Sequence, residues 1–99
     1  MARRKIIWSH RAKIKRYSIL EYYIEAHKSN SFAIKLNERF NKGIKLLAKY
    51  PNIGTKTEIE GVRGLIVENF IIFYEPGSDS IIIHHIWDSR QNPDDLKIK

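Results

Sequence analysis

The sequence has no cysteine, only three prolines and no long apolar run. Without cysteine, neither a disulfide framework nor a thiolate metal site is available. No stretch approaches the roughly 18 apolar residues of a membrane span. The start, from Met1 to Lys5, is positively charged as in a signal peptide, but the apolar run after it ends at Trp8, too early for export. These absences, with the chain length, predict one domain over residues 1–99 in a reducing, cytoplasmic setting.

Acidic residues are also few. Eleven Asp and Glu stand against eighteen Lys and Arg, for a formal net charge of +7. Such a surplus favours a polyanionic or acidic partner, which is either nucleic acid or an acidic protein. Because lysines can also serve only to keep a protein in solution, the positions of the charges must decide.

The first half of the chain predicts a strand and two helices. Lys5–Trp8 gathers β-branched and aromatic residues, as strands do. Residues 11 to about 28 repeat apolar side chains every three to four positions, which indicates a helix. Residues 29–31 offer N-cap side chains, and a second helix runs from about Phe32 until Pro51 stops it. So short a connection makes the helices antiparallel. The stripes expected to face the core are Ile14, Tyr17, Leu20 and Ile24, then Phe32, Leu36, Phe40, Ile44 and Leu47.

The second half predicts three antiparallel strands. Residues 52–60 are polar and indicate a connecting loop. Val, Ile, Phe and Tyr then dominate residues 62–68, 69–75 and 80–87, with turn residues between them. Both faces of the last strand are largely apolar, so we expect it in the interior of the sheet. A polar tail follows, residues 88–99.

Together these elements predict an α+β fold with an N-terminal strand, an antiparallel helical hairpin and an antiparallel β-meander. Both helices should pack on one sheet face, which leaves the other face partly open. An open concave sheet beside basic residues suits the binding of another protein chain or a nucleic acid.

No catalytic signature and no metal-ligand spacing occurs, so we expect no cofactor and no metal. His84 and His85 are adjacent in the last strand, where alternation would point them to opposite faces. They could be ordinary sheet residues. Alternatively, the histidine on the open face could contact phosphate or transfer a proton near neutral pH.

Four cations are candidates for contact with an anionic partner. Arg63 begins the first meander strand and Arg90 follows the last, and guanidinium groups suit phosphates or carboxylates. Lys49 lies on a lysine stripe of the second helix, and Lys56 lies in its exit loop. Such a stripe is either a solvated face or a means of steering phosphate.

Four short segments of the sequence resemble segments of a known protein family, and they occur in the same order and at the same spacing. They are residues 50–54 (YPNIG), 62–63 (VR), 70–74 (FIIFY) and 86–93 (IWDSRQNP). The last is the most specific. On these segments almost the whole chain resembles the RelE/ParE family of toxins. The resemblance implies a toxin that an acidic antitoxin protein holds inactive in a hetero-oligomer.

The family divides by target, and the chain departs from one of its branches. RelE-like members cut mRNA on the ribosome, whereas ParE-like members poison DNA gyrase. Arg90 matches the arginine that follows the last strand, and Lys56 could stand for a loop lysine. Ile66 and Leu96, however, stand where RelE-like members carry an arginine and a tyrosine. The resemblance therefore favours the ParE-like branch.

Three interpretations remain open, of which the last is a plain nucleic-acid-binding module. As a gyrase poison, the chain would not be an enzyme, and its target-binding residues would be Lys49, Lys56, Arg63 and Arg90. As a ribosome-dependent mRNA endoribonuclease, it would use Arg90 with His84 and His85, because cleavage needs a base and an acid that only these histidines or Tyr74 could supply.

Overall fold

The computed structural model describes residues 3–98, in which two helices pack on one face of a five-stranded sheet. In chain order the elements are β1 Lys5–Trp8, α1 His10–His27, α2 Ser31–Lys49, β2 Thr55–Lys56, β3 Arg63–Val67, β4 Phe70–Pro76 and β5 Ser80–Asp88, then a 3-10 turn at Pro93–Asp95. Both predicted helices and four predicted strands are confirmed. The predicted domain also includes Met1, Ala2 and Lys99, which lie outside the described residues.

The sheet order is β1-β5-β4-β3-β2, with β1 parallel to β5 and the other pairs antiparallel. The interior position predicted for the last strand is confirmed, since β5 lies between β1 and β4. The loop predicted over residues 52–60 is wrong at Thr55–Lys56, which pairs with β3 as a short edge strand. Both residues of this strand are polar and exposed, so the sequence shows no alternation of apolar and polar residues here. The strand can be recognised only from its pairing with β3.

The joint between β1 and α1 is tied to β5 through one side chain. Ser9 is the N-cap of α1, and its hydroxyl accepts from the Ala12 N–H at 3.0 Å. The same hydroxyl donates to the His84 carbonyl at 3.1 Å. The start of α1 is therefore held against the middle of β5.

The two helices form the predicted antiparallel hairpin. Lys28, in the left-handed conformation at φ 52°, ends α1. Near the base of the hairpin, Arg16 donates to the Asn37 side chain. Near its tip, the rings of Tyr23 and Phe32 lie 4.8 Å apart. A later residue of α1 thus contacts an earlier residue of α2, so the two helices are antiparallel.

The core stripe of α2 is confirmed except at Phe32, which is exposed, whereas that of α1 is mostly wrong. Leu36, Phe40, Ile44 and Leu47 are buried against the sheet. Gly43 allows this close approach, because a Cβ there would lie 3.1 Å from the Val67 side chain of β3. On α1 the fully buried positions are Ala12 and Ile19, and three of the four predicted core residues are exposed. Those three are Ile14, Tyr17 and Ile24.

The sheet face away from the helices is not as open as predicted. Val62, Phe73 and Trp87 form a second buried cluster there. Partly buried side chains from the loop before β3 and from the C-terminal tail pack against it; they are Ile59, Leu96 and Ile98. A tail judged polar overall still places two apolar side chains two residues apart, so both can lie on one side of an extended segment.

None of the described helices is long and apolar enough to cross a membrane.

Candidate functional site

A partly apolar groove lies between the two helices of the hairpin. Two surface cavities, about 420 Å³ and about 270 Å³, share Leu20 and Asn37 in their linings and so join end to end. The remaining lining residues are Trp8, Lys13, Arg16 and Tyr17 at the base, and Ile24, Asn30, Ala33 and Ile34 toward the tip. We call this surface the hairpin groove.

The two ends of the hairpin groove differ in polarity. At the base, the Arg16 guanidinium lies 4.9 Å from the Trp8 ring centroid and donates to Asn37 and Asn41, at 2.6 Å each from Nη2. Lys13 lies at the same end. The described residues that line the tip are uncharged, and all but two asparagines are aliphatic. An amphipathic segment with acids at one end and apolar residues at the other would complement this groove.

The two histidines lie on the same sheet face, contrary to the prediction. Phe73 pairs with His85, but the next residue, Tyr74, pairs with Ile83, so His84 is the extra residue of a β-bulge. A bulge breaks the alternation of side chains. His84 therefore reaches Glu75, and the His85 ring lies 6.1 Å from Trp87, both on the face away from the helices.

His85 is poorly suited to proton transfer. It is 5% exposed, and its Nδ1 has no hydrogen-bond partner among the described residues. Burial lowers its pKa to about 4, with further lowering by the nearby cations Arg11 and Lys15. The ring is therefore neutral near neutral pH, and its burial keeps a substrate away from it.

His84 is half-buried and already engaged. Its Nε2 lies 2.8 Å from Oε1 of Glu75. His84 lies in the middle of β5, and Glu75 pairs with Ile82 nearer the start of that strand. Glu75 lies beside Gly61, which lines a surface cavity together with Lys56 and Arg63, whereas Arg90 follows the end of β5.

Arg90 is committed to an internal clamp at the other end of β5. Its Nε and Nη2 donate to the two carboxylate oxygens of Asp88, at 3.0 and 2.8 Å, and Nη2 also donates to the Tyr23 hydroxyl at 2.8 Å. The hydrogen bond from Arg90 lowers the pKa of Asp88. The clamp therefore ties the start of the tail to α1, while the Arg90 side chain itself is 59% exposed.

Lys56 and Arg63 are brought together, far from Arg90. They are register partners on β2 and β3, and both line a surface cavity of about 320 Å³. Arg63 donates to the Gly54 carbonyl at 2.8 Å, and Glu60 lines the same cavity. Arg63 begins β3 and pairs with Tyr74, whereas the end of β5 at Asp88 pairs with the start of β4, so Arg63 and Arg90 lie toward opposite ends of the sheet.

Tyr74, the other acid-base candidate, is a structural residue. It is fully buried, and burial raises its pKa. Its hydroxyl donates to the Pro51 carbonyl at 2.8 Å and accepts from the Gly54 N–H at 2.9 Å. Gly54 is required there, because a Cβ would lie 2.6 Å from that hydroxyl. The predicted YPNIG segment is thus the loop that Tyr74 anchors.

Sequence reasoning missed several residues of these sites. Tyr23 and Asp88 complete the Arg90 clamp, and Trp8 with Arg16 forms the base of the hairpin groove. The acid two positions before Arg90 was a usable signal, since Asp88 is the last residue of β5 and Arg90 lies in the turn that follows. Tyr23 lies 67 residues away in sequence, and nothing local indicates it. No group of three or more potential metal ligands occurs among residues 3–98.

The structure is that of a small α+β protein with a groove between its helices and with Arg90 far from Lys56 and Arg63. The family model described as ParE toxin of type II toxin-antitoxin system, parDE, matches residues 6–93. The chain therefore belongs to the ParE toxin family, and the predicted RelE/ParE resemblance is confirmed.

A solved structure shares the fold. It is described as the chromosomal ParDE TA system from P. aeruginosa, with a TM-score of 0.72 and 22% sequence identity over 84% of this chain and 92% of that chain. A search of curated proteins gave no match. At this identity the similarity confirms the predicted α+β architecture and nothing finer.

Proposed function

We propose that this chain is the toxin of a toxin-antitoxin pair, that it inhibits bacterial growth when free, and that its target is DNA gyrase. The observation that carries the proposal is the match of residues 6–93 to the ParE toxin family. The separation of Arg90 from Lys56 and Arg63, which lie toward the opposite end of the sheet, supports the gyrase branch over mRNA cleavage, because the nuclease interpretation needs these cations and a histidine around one phosphate. With such targets, the chain would act in the cytoplasm.

The antitoxin partner is proposed to occupy the hairpin groove as an acidic, amphipathic segment. The groove leaves Tyr17, Ile24 and Ile34 exposed, which is costly in water unless a partner covers them. Lys13 and Arg16 at the base would meet the partner's acids. Raising the salt concentration should weaken such a complex, because exposed charge pairs are screened.

The toxin proposal is tested with purified gyrase and plasmid DNA. The wild-type chain should arrest growth when its expression is induced and should raise the yield of gyrase-dependent linear plasmid. Translated mRNA should remain intact in the same preparation. Intact plasmid together with new mRNA ends inside ribosome-occupied codons would reject the gyrase assignment in favour of the endoribonuclease.

The antitoxin proposal is tested with the small acidic protein expected to be encoded beside this chain. Ile24→Glu with Ile34→Glu should raise the Kd of the complex at least about tenfold, which corresponds to about 1.4 kcal/mol. Ile14→Glu, on an exposed position of α1 outside the groove, is the matched control. Equal affinities for the two variants would reject the groove as the antitoxin site.

A further inference from the structure

A second exposed apolar surface lies at the C-terminal end of α2. Leu46, Tyr50 and Ile53 are 43%, 49% and 46% exposed. The Tyr50 N–H donates to the Leu46 carbonyl at 2.7 Å, and the Ile53 N–H donates to the Tyr50 carbonyl at 3.3 Å, so the three residues follow on successive turns. We call them the α2-end patch. Large apolar side chains exposed next to one another, unlike single scattered ones, mark an interaction surface.

The α2-end patch lies on the opposite side of α2 from the hairpin groove. Leu46 follows the groove residue Asn37 by nine positions, which is about two and a half turns at 3.6 residues per turn. Gly43, three positions before Leu46, faces β3, so the patch lies on the β3 side. A partner seated in the hairpin groove therefore leaves the patch uncovered.

The chain segment that includes the patch has charge of one sign. Between Phe40 and Thr57 the chain has four lysines and no acidic residue. These lysines are Lys42, Lys45, Lys49 and Lys56. One of them is fixed at the edge of the patch, since Lys49 Nζ lies 5.4 Å from the centroid of the Tyr50 ring. Apolar residues with a cationic rim complement a protein surface that has an apolar recess bordered by acids.

A protein fits this surface better than a nucleic acid does. Phosphate contacts need only the lysines, and the duplex backbone offers little that exposed Leu46 and Ile53 could bury. Removing these aliphatic side chains and the Tyr50 ring from water would instead supply the central apolar contacts of a protein interface.

We propose that the α2-end patch is the surface through which this chain docks on an acidic site of its target protein, while the antitoxin occupies the hairpin groove. The inference rests on the proposed function in so far as the target is DNA gyrase. Antitoxin and target then contact opposite sides of α2, and substitutions should separate the two interactions.

The test compares two double variants that each remove one aliphatic and one tyrosine side chain from an exposed helix surface. Leu46→Ser with Tyr50→Ser alters the patch, and Ile14→Ser with Tyr22→Ser is the matched control on α1. The readouts are growth arrest, the Kd for purified gyrase holoenzyme, the Kd for the adjacent acidic protein, and Tm. The patch variant should lose growth arrest and bind gyrase at least about tenfold more weakly. Its Tm and its antitoxin affinity should remain those of the control.

Each other outcome decides the inference. If the patch variant arrests growth and binds gyrase like the control, the α2-end patch is not the docking surface, and the gyrase proposal is unaffected. Loss of affinity for a bare DNA duplex, or for the acidic protein, instead of gyrase also overturns the inference. If the wild type arrests growth without binding gyrase and the patch variant does not arrest growth, the docking surface is supported and gyrase is rejected. A wild type that neither arrests growth nor binds gyrase overturns both.

Discussion

The two faces of the sheet are buried by different means. Under the helices, side chains from α2, β4 and β5 are completely excluded from water; they are Phe40, Leu47, Ile72, Tyr74, Ile81, Ile83 and Ile86. The opposite face has a smaller cluster around Val62, Phe73 and Trp87, closed by partly buried residues of a loop and the tail. The helix face is thus a continuous core, whereas the tail face depends on a cover that contributes few side chains.

The side chains that form the main core and the histidines of β5 lie on different sheet faces. His84, His85 and the Glu75 carboxylate lie on the tail face. The proposed binding surfaces lie on neither, since the hairpin groove and the α2-end patch are on the outer sides of the helices. Substitutions on the two sheet faces should therefore alter stability by different amounts and leave partner binding largely unchanged where the fold survives.

The largest expected effect is on the helix face. Phe40→Ala removes a fully buried ring that packs against Phe70 at 5.5 Å between centroids. Truncating such a ring leaves a cavity, so the free energy of unfolding should fall by about 3–5 kcal/mol. Urea unfolding followed by circular dichroism measures it. Phe32→Ala is the control, because that ring is 39% exposed and should lose far less. Equal losses of unfolding free energy in the two variants would mean that Phe40 is not part of the main core.

An intermediate effect is expected on the tail face and should depend on pH. His85 has a pKa of about 4 in the folded chain, against an ordinary value of 6.5. Between those values the unfolded chain binds a proton that the folded chain does not, so stability falls as the pH drops below 6.5 and stops falling near 4. From about pH 7.5 to about pH 5, this group alone should cost about 2 kcal/mol.

The measurement compares wild type with His85→Gln by urea unfolding at both pH values. Gln does not titrate, so the variant should lose about 2 kcal/mol less than wild type over that interval. His10→Gln, at an exposed position, is the control and should follow wild type. The same pH dependence in all three proteins would mean that His85 is not the group responsible.

Much of the helix face could be predicted from the sequence, and much of the tail face could not. Leu36, Phe40 and Leu47 repeat at helical spacing because one stripe of α2 meets the sheet, and periodicity detects such a stripe directly. The β-bulge at His84 arises from pairing with β4, and no local pattern indicates it. The cover of the tail face comes from the end of the chain, where apolar residues are too few to form a period.

The candidate sites were predictable as residue types rather than as arrangements. Lys56 and Arg63 do lie side by side, as register partners on neighbouring strands. Arg90, however, is neutralised by Asp88 and held by Tyr23. The exposed part of the α1 stripe was assigned to the core because periodicity identifies an apolar face without saying whether this chain or another covers it.

The smallest expected effect concerns the tail itself. Leu96 is one of the partly buried side chains that close the cluster containing Trp87. Leu96→Ala removes about half the burial of a leucine, so the free energy of unfolding should fall by only about 1 kcal/mol. Access to Trp87 is the more sensitive readout, measured as acrylamide quenching of fluorescence in a Trp8→Phe background that leaves Trp87 as the only tryptophan. Quenching should rise in Leu96→Ala and stay unchanged in Lys97→Ala, whose exposed side chain is not among those that pack against the cluster. Unchanged quenching in Leu96→Ala would mean that the tail does not cover this face in solution, and the tail face would then be as open as the sequence had predicted.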